Sequence, residues 1–174
     1  MLSLDTWVAF EFYKTFLHWY CGWYEPRYLE IGCLGGDLCS SLKTKVAVGV
    51  DINEHPDWAT YMGRSDKVLF YQMSSDQFFE QNTEKWDLIF IDGDHTAAQV
   101  RKDVKNSLAC LSDEGLIVLH DTLPPTPGDT NPDKCGSAFA VRRELQEDSR
   151  LQVYTFPVTF GVTLVAPIGK DWPW

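Results

Sequence analysis

The chain has 174 residues, 44% of them apolar, which is the size of one domain around one core, so residues 1–174 are expected to form a single domain. Its 25 acidic and 15 basic residues give a formal charge of -10 at pH 7, which opposes binding to nucleic acid because the phosphate backbone is also negative. The five cysteines form no C-x-x-C pair and are odd in number, so they favour neither a disulfide framework nor a zinc site.

The beginning of the sequence and its cysteines predict a cytoplasmic protein. Met1 to Tyr13 lacks the basic region and apolar core that a secretory signal requires. No uncharged apolar run approaches the roughly 20 residues that a helix needs to cross a bilayer, so we expect no contact with membranes. Cysteines without a disulfide pattern fit a reducing compartment.

Residues 1–25 contain the first predicted element, a helix over Leu4 to Trp23 that is unusually rich in aromatic residues. These are Trp7, Phe10, Phe12, Tyr13, Phe16, Trp19, Tyr20 and Trp23. They surround the helix instead of forming one stripe, which indicates that two of its faces are covered. One cover would be the sheet, and the other would be a homodimer partner or a lid over the substrate. The alternative is a terminal helix with some exposed aromatic side chains.

From Arg27 onward the pattern alternates between strands and helices. The predicted strands are Tyr28–Ile31, Val46–Val50, Val68–Tyr71, Asp87–Ile91 and Leu116–Leu119. Short apolar runs without polar alternation are typical of a parallel sheet that is covered on both faces. Gly36 to Leu42 is predicted as a short helix. Thr96 to Leu111 is the clearest helix, because Val100, Val104, Leu108 and Leu111 share one of its faces.

The chain changes character after the fifth strand. Leu123 to Gly136 contains four prolines and reads as a mobile loop over a site, so residues 123–137 are expected to act as an active-site loop. A helix over Ser137 to Gln146 follows, and then the strands Gln152–Phe156 and Gly161–Ala166. The connection between these strands is too short for a helical crossover, so they form an antiparallel hairpin. The sequence thus predicts seven strands.

The first candidate site is a glycine-rich turn, Glu30 to Asp37, between a strand and a helix. Glycines such as Gly32 and Gly36 let the backbone approach a ligand closely, and the helix N-terminus beside them offers free N–H groups. Cys33 lies between these two glycines. A purely structural tight turn is the alternative interpretation.

Asp51 follows the second strand, nineteen residues beyond Gly32. A carboxylate at this spacing can accept both hydroxyls of an adenosine ribose, although a turn cap before Asn53 is the alternative. The two features together predict a nucleoside ligand, either a dinucleotide or S-adenosylmethionine.

Three details favour S-adenosylmethionine. Glu30 would attract the amino group of a methionine moiety and repel a pyrophosphate. Leu34 departs from the G-x-G spacing of a dinucleotide site. The final hairpin leaves no room for a separate substrate domain.

The third candidate site comprises polar residues after two neighbouring strands. Asp92, Asp94 and His95 follow the fourth strand, and His120 and Asp121 follow the fifth. The carboxyl ends of parallel strands share one crevice, so these side chains should converge there. Such a set could bind Mg²⁺ or Mn²⁺ through Asp92, Asp94 and Asp121, or could use His95 or His120 as a general base. The alternative is structural: Asp94 caps the next helix, and His120 and Asp121 bind loop backbone.

Three segments, Tyr28–Asp37, Trp86–His95 and Gly115–Thr122, carry a family resemblance. Together they resemble the class I S-adenosylmethionine-dependent methyltransferases. Within that class they resemble the branch with macrocin and other sugar or antibiotic O-methyltransferases, near the catechol O-methyltransferases, known as the methyltransferase 24-like domain. The likeness spans Tyr28 to Ala166, and its most specific parts are Asp-Gly-Asp-His and His-Asp-Thr. It implies a Rossmann-like three-layer α/β sandwich, with a mostly parallel seven-stranded sheet in the order 3-2-1-4-5-7-6.

The resemblance also implies roles for individual residues. The implied cofactor-binding set is Glu30, Gly32, Cys33, Gly36, Asp51, Ile52, Ser75, Asp76 and Asp92, with the methionine part near Glu30, the ribose at Asp51 and the adenine near Ser75 and Asp76. The implied catalytic residues are Asp92, His95 and His120, and the implied metal ligands are Asp92, Asp94 and Asp121. The sequence departs from the family at Thr122, where metal-dependent members often carry a carboxamide or carboxylate, and in the short N-terminal region.

The sequence therefore predicts in-line transfer of a methyl group from S-adenosylmethionine to the hydroxyl of a small molecule, such as a sugar, a phenol or a related metabolite. A divalent metal is an optional assistant in this scheme. Two alternatives stay open: a protein that binds the donor without catalysis, and a nicotinamide-dependent Rossmann reductase.

Overall fold

The computed structural model describes residues 12–158 and 160–169, and the strands in these residues form one seven-stranded sheet. The strands are β1 (Arg27–Ile31), β2 (Val46–Asp51), β3 (Val68–Gln72), β4 (Trp86–Ile91), β5 (Leu111–Leu119), β6 (Leu151–Phe156) and β7 (Val162–Pro167). Their order is β3-β2-β1-β4-β5-β7-β6. β1 to β5 pair in parallel, whereas β7 is antiparallel to both β5 and β6. The predicted fold and strand order are confirmed.

Helices lie on both faces of this sheet. They are α1 (Phe12–Tyr24), α2 (Asp37–Ser41), α3 (Asp57–Arg64), α4 (Ser75–Gln81), α5 (Ala97–Cys110) and α6 (Ala138–Glu147), and a 3-10 helix spans Pro127–Thr130. No helix in the described part of the chain has the length and apolarity that a bilayer crossing requires.

Two apolar clusters fill the space between sheet and helices. Along β1, Tyr28 points into one cluster and Leu29 and Ile31 point into the other, because successive side chains of a strand face opposite ways. The first cluster includes Leu17 and Tyr20 of α1 and Cys39 of α2; the second includes Phe78 of α4, Val104 of α5 and Val141 of α6. Burial on both faces explains why the central strands are apolar throughout.

Several boundaries differ from the prediction. α3 and α4 were not predicted, because each is short and starts in a polar turn whose apolar spacing is weak. β5 begins at Leu111, five residues before the predicted start, since the residues from Ser112 to Gly115 are polar or small and hide the beginning of the strand. Only residues from Phe12 onward belong to the described part of the aromatic helix, so Trp7 and Phe10 lie outside it. A homodimer through this helix stays a prediction.

The segment over residues 123–137 is more regular than its prolines suggested. It contains the 3-10 helix, at whose start Asp129 Oδ2 accepts hydrogen bonds from the backbone N–H and the hydroxyl of Thr126. It also buries Cys135 completely. Its mobility stays a prediction.

Candidate active site

The carboxyl ends of β1 to β5 surround a cleft of about 720 Å³. Ten of the residues expected to act there line it: Gly32, Asp51, Ile52, Ser75, Asp76, Asp92, Asp94, His95, His120 and Asp121. Since parallel strands end at the same edge of the sheet, residues far apart in sequence meet in one crevice. Glu30, Cys33 and Gly36 belong to the predicted cofactor-binding set but do not line this cleft.

The glycine turn is held against its neighbours by close backbone contacts. Gly32 has a φ of 83°, and a Cβ there would lie 2.4 Å from the carbonyl oxygen of Asp92. Gly36 has a φ of 80°, and its Cβ would lie 2.4 Å from the ring of Phe70. Any larger residue would therefore push apart the loops after β1 and β4, or displace the aromatic ring. Packing explains both glycines, and only Gly32 also borders the cleft.

Asp51 connects the turn after β1 to the turn after β2. Its Oδ2 accepts a hydrogen bond from the backbone N–H of Leu34 at 2.9 Å, and its Oδ1 accepts one from the N–H of Asn53 at 3.0 Å. Leu34 has a φ of 44°, an uncommon conformation for a leucine, which this bond helps to hold. The carboxylate caps a turn and also lines the cleft, so the two interpretations of Asp51 are compatible. Each oxygen keeps a lone pair for a ligand.

Glu30 is a residue of β1 that does not line the cleft. It is buried, and its Oε2 accepts a hydrogen bond from the hydroxyl of Tyr28 at 2.9 Å. Burial raises the pKa of Glu30 to about 8, against the lowering effect of the Tyr28 bond, and the charge of Asp92 adds to the rise. This carboxyl is buried and holds its proton more tightly than a free glutamate, and attraction of the donor's amino group by Glu30 stays a prediction. Cys33 is likewise buried.

Four ionisable side chains converge at the ends of β4 and β5, and we refer to Asp92, His95, His120 and Asp121 as the His–Asp cluster. His120 Nδ1 lies 3.1 Å from Asp92 Oδ1 and 3.5 Å from Asp121 Oδ1. His95 Nε2 lies 3.3 Å from Asp121 Oδ2 and 3.5 Å from Asp92 Oδ1. Each imidazole thus faces both carboxylates.

The cluster separates the proton affinities of its two carboxyl groups. Burial acts to raise the pKa of Asp92, but the bonds and charges of His120 and His95 outweigh it and lower that pKa to about 2. Burial raises the pKa of Asp121, an effect that the histidines only partly offset. The bond to Asp92 raises the pKa of His95, against the effect of burial. The histidines therefore favour the anionic form of Asp92, and Asp92 in turn favours the protonated form of His95.

A sequence model described as a methyltransferase domain matches residues 29–122, more than half of the chain. The chain belongs to this methyltransferase family. The match covers the glycine turn, Asp51 and the whole His–Asp cluster, which agrees with the resemblance to class I S-adenosylmethionine-dependent methyltransferases. A search of curated proteins finds no match.

Solved methyltransferase structures share the fold. The SAH-bound methyltransferase PaMTH1 of Podospora anserina is 19% identical, with a TM-score of 0.68 over 98% of this chain and 89% of its own. The O-methyltransferase of Bacillus cereus in complex with SAH is 18% identical, with a TM-score of 0.68 over 89% of this chain and 80% of its own. A methyltransferase of Geobacter sulfurreducens is 13% identical, with a TM-score of 0.68 over 90% and 78%.

In this methyltransferase, His95 also contacts the segment over residues 123–137. Its Nδ1 is within hydrogen-bond distance of the carbonyl oxygen of Lys134, so Nδ1 carries a proton and Nε2 is the atom that faces the two carboxylates. Gly136 packs on the backbone of His95, with a φ of 53°, and the N–H of Ser137 donates to the His95 carbonyl at 2.9 Å. No sequence pattern indicates this contact, because the two partners are 39 residues apart.

The ligand set available to a metal differs from the predicted one. Donor atoms of Asp92, His95 and Asp121 all lie within 4.8 Å of one another. Asp94 instead accepts a hydrogen bond from the N–H of Thr96 at 2.7 Å, in the turn before α5, while Thr96 itself is the N-cap of that helix and accepts from the N–H of Gln99. The hydroxyl of Thr122 is buried against Thr163 at 2.7 Å. The donor set of two carboxylates and one imidazole fits Mn²⁺ better than Mg²⁺.

Two residues at the opposite end of the cleft were not predicted. Gln99 and Asp103 stand four residues apart on α5 and line the cleft beside Ser75 and Asp76 of α4. The amide nitrogen of Gln99 donates to Ser75 and Asp76 at 3.1 Å and to Asp103 at 3.0 Å. The sequence signal for these two residues is their spacing of four on a helix, which places them side by side. An Asp that is buried against the apolar side of a helix needs a hydrogen-bond partner, and Gln99 is in position to be one.

Proposed function

We propose that this chain binds S-adenosylmethionine and transfers its methyl group to the hydroxyl of a small molecule. The observation that carries the proposal is an acidic cleft that ends at the His–Asp cluster, next to a second pocket. This pocket has a volume of about 470 Å³ and shares Asp94 and His95 with the cleft; Thr130, Ser137 and Phe139 form part of its other wall. His95 thus stands between a donor site and a pocket for an acceptor.

The charge of the cleft supports a cationic donor. Six carboxylic side chains line it: Asp51, Asp76, Asp92, Asp94, Asp103 and Asp121. Among the residues that the structure describes, the lining includes no lysine or arginine. A sulfonium and an ammonium group are attracted to such walls, whereas the pyrophosphate of a dinucleotide is repelled. The volume of about 720 Å³ lies within the range of small-molecule sites.

Binding of the donor would rest on residues of three loops. Asp51 has lone pairs left for the two ribose hydroxyls, and Asp92 is anionic and borders the glycine turn. Bound S-adenosylmethionine supplies a methyl group on a positively charged sulfur, and the carbon of that methyl group is the electrophile. The chain's contribution is to hold donor and acceptor in line and to exclude water, since alignment accounts for much of the acceleration of such displacements.

The acceptor proton would pass to Nε2 of His95. With Nδ1 bonded to the carbonyl of Lys134, a neutral His95 carries its lone pair on Nε2, and Asp92 and Asp121 stabilise the imidazolium that forms. His120 keeps Asp92 oriented through its 3.1 Å contact. Tyr13 of α1 packs against His120 with ring centres 4.4 Å apart and the ring planes tilted by 45°, which covers this side of the cluster.

A divalent cation offers a second way to activate the same hydroxyl. Held by Asp92, His95 and Asp121, it would lower the pKa of a bound hydroxyl. In this scheme His95 Nε2 is a metal ligand, whereas in the first scheme it is the base. The metal scheme predicts that activity is lost when the metal is removed, and the base scheme predicts that activity is kept.

The test is formation of S-adenosylhomocysteine from S-adenosylmethionine with a panel of phenols, catechols and sugars. We expect acceptor-dependent turnover, and we expect Asp92→Asn to lower kcat at least about 100-fold, as loss of a positioned charge does. Asp66→Asn, an exposed carboxylate outside the cleft, is the matched control. Activity that survives EDTA supports the His95 base, whereas activity restored only by Mn²⁺ or Mg²⁺ supports the metal. Full activity of Asp92→Asn would contradict the proposal.

A further inference from the structure

We infer that Cys135 is a positioning residue: its thiol holds the carboxylate of Asp121 in the orientation that pairs with His95. The inference deepens the proposed function and rests on it for the effect on turnover, because Asp121 acts on His95 in both proposed schemes. Cys135 lines neither the cleft nor the second pocket. It would therefore act through Asp121 and not by contact with the donor or the acceptor.

The side chain of Cys135 lies directly against Asp121. Its Sγ donates a hydrogen bond to Asp121 Oδ1 at 3.7 Å, since an ionised carboxylate only accepts. Cys135 is completely buried, and Asp121 is 8% exposed. A hydrogen bond between buried groups is electrostatically stronger than the same bond in water, so even a weak donor such as a thiol can direct the carboxylate.

The backbone around Asp121 is fixed by the turn between β6 and β7. Asp121 has a φ of 57°, in the left-handed region that few non-glycine residues adopt. The N–H of Thr122 donates to the carbonyl of Gly161 at 3.3 Å, and the N–H of Leu123 donates to the carbonyl of Phe160 at 2.7 Å. With the backbone held in this way, the freedom that is left to Asp121 is rotation of its side chain.

The two carboxylate oxygens of Asp121 have different neighbours. Oδ1 accepts from Cys135 and lies 3.5 Å from His120 Nδ1. Oδ2 lies 3.3 Å from His95 Nε2, the atom that is also 3.5 Å from Asp92 Oδ1. Like charges repel, so the carboxylate of Asp92 favours rotation of Asp121 away from this shared nitrogen. The thiol opposes that rotation because it binds Oδ1.

Cys135 is itself held in place between the 3-10 helix and α6. Its N–H donates to the carbonyl of Asp129 at 3.1 Å, and its carbonyl accepts from the N–H of Ala138 at 3.3 Å. The carbonyl of the preceding residue, Lys134, contacts Nδ1 of His95. Two consecutive residues of one segment thus hold the imidazole and the carboxylate of the same pair.

The test compares Cys135→Ala with Cys135→Ser, two variants that differ only in a hydroxyl donor. We expect kcat of Cys135→Ala to fall about tenfold, as the loss of one hydrogen bond to a charged group does, and that of Cys135→Ser to stay within about threefold of the wild type. The acceptor KM and the calorimetric affinity for S-adenosylhomocysteine should change less than about twofold in both variants, because Cys135 touches neither ligand. Cys110→Ala, at another buried cysteine outside the His–Asp cluster, should keep the wild-type kcat.

The outcomes separate this inference from the proposed function. If the wild type forms no S-adenosylhomocysteine with any acceptor of the panel, the proposed function fails. If the wild type turns over and the alanine and serine variants have the same kcat, Cys135 has only a structural role and the inference is overturned.

A crystal structure of Cys135→Ala gives a readout that does not depend on turnover. We expect Asp121 Oδ2 to lie more than about 4 Å from His95 Nε2, beyond the distance of an ion pair. A distance that stays at the 3.3 Å of the wild type would overturn the inference.

Discussion

The two ends of the active-site cleft are held together in different ways. At the end proposed to bind the ribose, here called the ribose end, the single carboxylate of Asp51 binds backbone N–H groups of two neighbouring turns, and both partners lie within 17 residues of it. At the end proposed to carry the reaction, here called the reacting end, four ionisable side chains contact one another, and one of them, His95, contacts a loop 39 residues further along the chain. The ribose end is thus a local motif, whereas the reacting end is a product of the tertiary fold.

This difference determines how each end responds to change. The backbone bonds at the ribose end depend on the single side chain of Asp51. The protonation of each residue in the His–Asp cluster depends on its neighbours, because charges that share a buried site titrate together. Mutations at the ribose end should weaken donor binding, and perturbation of the reacting end should alter the pH dependence and the docking of the 123–137 segment.

The largest expected effect on stability concerns Glu30, at the glycine turn. Burial and the charge of Asp92 at the reacting end both raise its pKa. Below pH 4.5 this carboxyl is protonated in both states. As the pH rises toward 8, the unfolded chain releases the proton and the folded protein keeps it, so the folded state loses stability. Between pH 5 and 8 the wild type should lose about 3 kcal/mol relative to Glu30→Gln, whose side chain does not titrate.

Denaturant unfolding at several pH values measures this difference. Glu80→Gln, at an exposed position, is the matched control and should follow the wild type. Parallel pH curves for Glu30→Gln and the wild type would mean that Glu30 is ionised in the folded protein.

Asp51→Ala should break the ribose end alone. Loss of the bonds from Leu34 and Asn53 frees the glycine turn, so the affinity for S-adenosylmethionine should fall about 100-fold, or about 2.7 kcal/mol. The activity at saturating donor should change much less, since the His–Asp cluster is untouched. Calorimetry and kcat values give both numbers, with the exposed neighbour Glu54→Ala as a control. A large loss of kcat with unchanged donor affinity would reverse the assignment of the two ends.

Gly136→Ala should perturb the reacting end from outside. A Cβ at this position would lie 2.6 Å from the carbonyl oxygen of His95, at a φ of 53° that disfavours alanine. We expect a loss of about 1–2 kcal/mol in unfolding free energy, together with lower activity, because the segment that holds His95 is displaced. Gly128→Ala, whose Cβ would meet its nearest atom at 3.7 Å, is the control. Wild-type stability and activity of Gly136→Ala would show that this contact is not needed.

The contrast between local contacts at one end of the cleft and tertiary contacts at the other explains which features the sequence could predict. The strands, their order and the residues at their carboxyl ends were predictable, because strand periodicity and parallel topology place those ends at one edge of the sheet. Asp51 was predictable from its spacing. The roles within the cluster were not, since Asp94 and His95 are adjacent in sequence and only the fold decides which of them faces Asp121. Tyr28 and Glu30 are two residues apart on β1 and share a face, so their hydrogen bond agrees with strand alternation.

The central claim is that the acidic cleft binds a cationic methyl donor. Titration calorimetry of the wild-type protein with S-adenosylmethionine, S-adenosylhomocysteine and NAD⁺ tests it most directly. We predict saturable binding of the first two compounds at one site per chain, weakened by Asp51→Ala, and no binding of NAD⁺. Binding of NAD⁺ without either sulfur compound would contradict the account.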